Sequence, residues 1–223
     1  MKYSNSYNDY KIPRDLAWTV ISKYHIDTLP VDIRSLCNRM GIVLHSYASG
    51  ENLIEQYRLQ PFTSLDGFST ILKNNYVIFY NQAVRPVGRI RFTVCHEIYH
   101  IIIGDVRKNT VACRNSVTCW NHGEQQPTNP VERAANIFAS RLLAPACVLH
   151  VLGIRETDKI ANLCGLSHTA ASIRAERMDA LYQREQQFLQ QKGRSCFGQS
   201  QKERLALQQF DAFIQDYKKT AYD

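Results

Sequence analysis

The 223-residue chain contains no run of 18 apolar residues, which argues against a helix made to cross a bilayer. Its first stretch, Met1 to Lys11, is polar and rich in Tyr, Asn and Ser, with no apolar segment behind it. No secretory leader is visible there, and the cytoplasm is the expected location. The seven cysteines form no C-x-x-C pair. That sets aside a zinc ribbon and a thioredoxin-like dithiol, and reduced thiols fit the odd count. No internal repeat is visible. Acidic residues are the scarcer charge: 20 Asp and Glu face 27 Lys and Arg, for a net charge of +7 and a pI near 9.1. An excess of that size is common as solubility charge and also suits an acidic or nucleic-acid partner. With 44% hydrophobic and 21% charged residues, the composition is that of a folded chain with a buried core, one or two domains long.

Apolar periodicity at Leu16, Ala17, Val20, Ile21 and Tyr24 predicts a first helix opening near Pro13. A second is expected over 31–40, between Pro30 and Gly41. Residues 42–47 read as a strand, and 67–81 as a hairpin turning at Lys73-Asn74-Asn75. An apolar helix is expected over 87–103, a polar loop over 105–128, and a further helix over 130–143 that stops before Pro145. Beyond Gly153 short helical patterns lead to a Gln-rich tail. Leu205, Phe210, Phe213, Ile214 and Tyr217 give that tail one apolar face.

Within the 87–103 helix lies His96-Glu97-Ile98-Tyr99-His100, an H-E-x-x-H motif. Helical residues four apart share a face, so His96 and His100 can offer two imidazoles to one metal ion. Glu97 sits about 100° round the helix, where it reaches a water on the metal more easily than the metal itself. Zinc takes such nitrogens at about 2.0–2.1 Å, lowers the pKa of its water toward ~7, and leaves a nearby carboxylate to take the proton. The flanking residues, Phe92 to Cys95 and Ile101 to Ile103, are too apolar for a solvated surface pair of histidines. A third ligand is needed, and Asp105, His122, Glu124, Glu132 and His150 are candidates. Glu132 shares a helix face with Ala135 and Ala139, small residues that allow close approach. Asn129-Pro-Val-Glu132 is equally a capping-box spacing, so its role stays open on spacing alone.

Two segments together resemble the ImmA/IrrE family of metallopeptidases: Arg89-x-Arg91-Phe92-Thr93-x-x-His96-Glu97-x-x-His100, and Glu132-x-x-Ala135-Asn136-x-Phe138-Ala139-x-x-Leu142-Leu143-x-Pro145. The Leu29-Pro-Val-Asp32 stretch and the Asp66-Gly67 hairpin are similar too, and the likeness spans about residues 14–178. The resemblance implies an α+β, mainly helical, zincin-like core of the gluzincin type with a small, mostly antiparallel sheet. It implies one catalytic Zn²⁺ held by His96, His100 and Glu132, with Glu97 as general base and acid. It further implies a helix-turn-helix repressor as the protein substrate, cleaved to release transcription. Tyr99 stands where many members carry Gly; it either packs or hydrogen-bonds a developing oxyanion. Cys113, Cys119 and His122 have poor spacing for a second zinc site.

The organisation expected is a metallopeptidase domain over 1–152 and a helical region over 153–223. Within the latter, 158–178 is similar to a helix-turn-helix, with Arg174 and Arg177 as candidate nucleic-acid contacts. Packing on the core is the simpler role for that segment, since two arginines are little footprint for DNA. The second function considered is a DNA- or protein-binding regulator that keeps a peptidase-like fold without cutting. The intact H-E-x-x-H favours the enzyme.

Overall fold

The computed structural model describes residues 7–109, 111–114 and 129–222. Its contacts separate two compact units. Asp32–Ala139 form one, and the residues before and after them form the other. The expected boundary at 152/153 falls inside the second of these.

Helix α1 (Tyr7–Lys23) starts earlier than periodicity suggested and takes Pro13 into its interior. Its first residues are polar, so the apolar repeat that betrays a helix begins only at Leu16. In the Asp32–Ala139 unit, α2 (Ile33–Arg39) is capped by Asp32, whose carboxylate accepts from the Ser35 amide at 3.0 Å. Then follow β1 (Ile42–Ser46), α3 (Glu51–Gln56), a 3-10 turn (Gln60–Ser64), β2 (Gly67–Leu72) and β3 (Asn75–Tyr80). Lys73 and Asn74 join β2 to β3 with φ of 47° and 63°. A two-residue turn with both φ positive matches the twist of the strands it joins.

Next come α4 (Val87–Ile102), α5 (Asp105–Asn109), β4 (Val111–Arg114) and α6 (Pro130–Leu143). The stretch expected as a loop thus carries a short helix and a strand before its remainder, 115–128, passes outside the described residues. The strand order is β1-β3-β2-β4. Both pairings of β2 are antiparallel, whereas β1 runs parallel to β3, with Ile42 opposite Tyr76. Phe68 and Phe79 stack at 5.1 Å beneath the sheet, among Ile54, Leu59, Leu72 and Val77. Helix α4 packs across β2 and β3. At that crossing Gly67 allows close approach: a Cβ there would stand 2.7 Å from the Thr93 methyl.

The other unit contains α1 and the helices after α6: α7 (Ala146–Val151), α8 (Thr157–Cys164), α9 (His168–Lys192), α10 (Gln201–Gln209) and α11 (Asp211–Tyr222). Gly165 takes φ 61° between α8 and α9, and the Ser167 hydroxyl caps α9. The helix-turn-helix outline is therefore present. Phe210 and Ile214 are buried as the apolar face of the tail implied, but Leu205 is exposed. Among the described residues, Pro130–Val151 is long and apolar enough to pass for a membrane span. Most of that segment is buried within the protein, and it carries Glu132, Arg133 and Arg141, so it reads as core.

Candidate metal centre

Thr93, His96, Glu97 and His100 are buried in the otherwise apolar α4. Polar groups stay buried at acceptable cost only when they are hydrogen-bonded. The Nδ1 of His96 lies 2.9 Å from Asn136 Oδ1, and the Nδ1 of His100 lies 2.9 Å from Asp105 Oδ2. Each partner is an oxygen acceptor. Each Nδ1 therefore carries the hydrogen and donates it, and each Nε2 keeps its lone pair. Metal-binding histidines are held in this way.

The two Nε2 atoms stand 3.1 Å apart. Glu132 completes a triangle, with Oε2 3.0 Å from His96 Nε2 and Oε1 3.4 Å from His100 Nε2. Donors that sit about 2.0–2.1 Å from a tetrahedral ion are roughly 3.3–3.4 Å from one another. Two lone pairs and a carboxylate at such distances repel unless a cation stands among them. These three residues therefore fit a metal ion, and they are the group of donors whose atoms converge among the described residues. His96 and His100 are fully buried, and Glu132 is 19% exposed, so the centre is reached from the Glu132 side chain's end.

Glu97 is also completely buried. The Ser69 hydroxyl, from β2, donates to its Oε2 at 2.7 Å. Near the start of α4, Arg89 donates to Asp66 at 2.7 Å, which ties that end of the helix to the residue before β2. Helix α4 and the β2 end of the sheet are thus fixed to each other twice, by Ser69–Glu97 and Arg89–Asp66.

The other sequence candidates fall as follows. Asn129 accepts from the Val131 amide at 2.9 Å at the start of α6, and the Glu132 carboxylate faces both histidines. Asp105 supports His100 from behind instead of facing the triangle. His150 pairs with Glu185 at 2.8 Å in the other unit. His122, Glu124 and Cys119 lie outside the described residues, as does the side chain of Cys113. Tyr99 is almost wholly buried, its ring 5.5 Å from Phe138. Burial and the Asp105 carboxylate hold its phenol above the usual range. Cys95 is a core residue whose thiol burial pushes far up, which suits packing and not redox chemistry. Arg174 has no exposed surface, so it cannot serve as the nucleic-acid contact its place on the second helix of the motif suggested. Arg177 lines a cavity with Tyr10.

Asn136 belongs to the second motif but had no role assigned from the sequence, and Ser69 was not singled out at all. Asn136 stands four residues after Glu132, hence on the same face of α6, and that spacing is the signal it offered. Ser69 gave none, being one hydroxyl in a strand.

A family profile described as the IrrE N-terminal-like domain, a peptidase profile, matches residues 37–176, more than half the chain. That range holds all of the converging donors together with Ser69, Glu97, Asp105 and Asn136. No curated protein matches the chain.

Proposed function

The chain belongs to the IrrE N-terminal-like family of peptidases, and from that premise we propose that it is a zinc-dependent endopeptidase that cuts a helix-turn-helix repressor in the cytoplasm. The observation that carries the enzymatic reading is the convergence of His96 Nε2, His100 Nε2 and the Glu132 carboxylate beside a buried, hydrogen-bonded Glu97. Zinc in this place would supply Lewis acidity toward a peptide carbonyl and a water. Asn136 and Asp105 orient the two imidazoles for that ion. Glu97 takes a proton from the attacking water and returns it to the nitrogen of the departing peptide. Ser69, by holding Oε2, fixes the plane in which that carboxylate works. Among the described residues β4 pairs only with β2, so one side of this edge strand offers backbone groups to an extended peptide. Such a seat would suit the backbone of a protein substrate.

The test is cleavage of a purified helix-turn-helix repressor, taken first from any gene found to neighbour this one. Purified protein should contain zinc by elemental analysis, and chelation should abolish cutting. Glu97→Gln should keep the metal and lose about a hundredfold or more in rate. The same variant should retain uncut substrate in a pull-down. A Glu97→Gln protein that cuts normally ends the reading.

A further inference from the structure

The unit made of α1 and the helices after α6 carries an open-mouthed cavity of about 650 Å³. That volume is in the range of small-molecule sites, about 300–1,000 Å³. Lys11, Arg14, Arg141, Arg177, Arg184 and Arg194 line it, against a single carboxylate, Glu203. Of the arginines, Arg14 is paired with Asp15 at 2.9 Å. Among the described residues Arg141, Arg177 and Arg184 form no ion pair. Aromatic rings hold several guanidinium groups in place: Arg14 lies 4.5 Å over Trp18, Arg177 5.5 Å over Tyr10, and Arg184 5.3 Å over Phe188.

Arg174 stands behind the cavity wall, close to the lining residues Arg141 and Arg177, and adds a second observation. It is 0% exposed, and none of its three guanidinium nitrogens has a hydrogen-bond partner among the described residues. Burial lowers its pKa to about 10. Burial, with Arg174, Arg177 and Arg14 close by, drives Arg141 well below the ordinary arginine value. A group of like charges taken out of water without counter-charges destabilises the fold. Natural chains keep such a group when a ligand supplies the missing charge.

We propose that this cavity binds a phosphate-bearing small molecule of nucleotide type. Guanidinium forks match phosphate oxygens in pairs, and stacking on rings holds them ready for it. The apolar part of the wall, Ala146, Ala180, Leu181 and Phe197, suits a flat base beside the phosphates. A concave pocket of this volume, its arginines gathered around one hollow, favours a small anion over a duplex, which binds cations spread along an exposed face.

The test is calorimetric titration and thermal melting of the full chain with ATP, pyrophosphate, inorganic phosphate, adenosine and a short DNA duplex. ATP should bind saturably at one site and raise Tm. It should bind more tightly than inorganic phosphate, and adenosine more weakly still. Arg141→Met with Arg177→Met should weaken ATP by about tenfold or more. Arg174→Met keeps the proposal open to failure if that pair disturbs folding. It should raise Tm without ligand and shrink the ATP-induced rise. A merely structural Arg174 would give a lower Tm and an unchanged ATP response. No response to ATP or pyrophosphate at millimolar concentration overturns the proposal. So does equal binding of phosphate and ATP, or an ATP affinity that the arginine variants leave intact. Duplex binding that those variants abolish and ATP fails to compete would assign the cations to nucleic acid instead.

Discussion

Glu132 opens a helix, and a carboxylate three residues after an Asn is also what a capping box asks for. Spacing alone leaves the two roles level; the resemblance favours the ligand, and oxygens 3.0 and 3.4 Å from two histidines fit that role. Glu132→Gln keeps length and polarity but removes the negative charge. Zinc affinity should fall by about tenfold or more, and Asn136→Ala, which frees a histidine to turn, should cost about 10–100-fold. Competition with a chromogenic chelator measures both, and unchanged affinity in Glu132→Gln would return the residue to its capping role. His96, Glu97 and His100 were legible because helix geometry converts a four-residue spacing into a shared face. Asn136 and Asp105 act through a histidine's far nitrogen; the spacing from Glu132 puts Asn136 on the right helix face, but no spacing names the histidine it meets. Thiols give a second prediction. Burial holds Cys37 and Cys147 up at about 12, against an ordinary 9.0. Above about pH 9 the unfolded chain sheds thiol protons that the native chain keeps, so stability falls as pH rises, by about 1.4 kcal/mol per unit for each thiol. Melting curves at pH 8 and pH 10 should therefore converge for Cys147→Ala relative to the parent; parallel losses would refute the shift.

At the scale of elements, α4 and α6 were readable because apolar period, proline and glycine all mark the same bounds. The hairpin was readable for the same reason, though its turn is the two residues Lys73 and Asn74 and not three. Helix α5 and β4 were not. Four residues make too short a strand to show alternation, and the partner that stabilises β4 lies far upstream in β2. The parallel join of β1 to β3 was equally hidden, since nothing in a strand's own sequence names its neighbour. Gly67 ties the element scale to the site. A methyl there meets the Thr93 methyl at 2.7 Å and the Phe79 carbonyl at 2.9 Å. Gly67→Ala should push α4 off β2, costing about 1–3 kcal/mol. It should also lower cleavage in the surviving folded protein, because Ser69 and Glu97 sit on those two elements. Chemical denaturation and rates normalised to folded protein check both, and a stability loss without a rate loss would separate packing from positioning.

At the scale of the whole molecule, the sequence suggested a cut near residue 152, whereas one unit is assembled from both ends of the chain. Texture along a sequence cannot announce a unit whose parts are separated by another. The strand order β1-β3-β2-β4 has a consequence in time. β2 and β3 meet across a two-residue turn, and hairpins of that kind close in about 1–10 μs. β1 must wait for β3, because it joins in parallel and the whole of residues 47–74 has to be looped out first. In refolding followed by pulsed hydrogen exchange, amides of Thr70 and Val77 should gain protection before that of Leu44. Simultaneous protection, or Leu44 first, would contradict that order. The strand that carries Ser69 is then laid down early, and the Glu97 carboxylate finds its anchor already waiting when α4 docks.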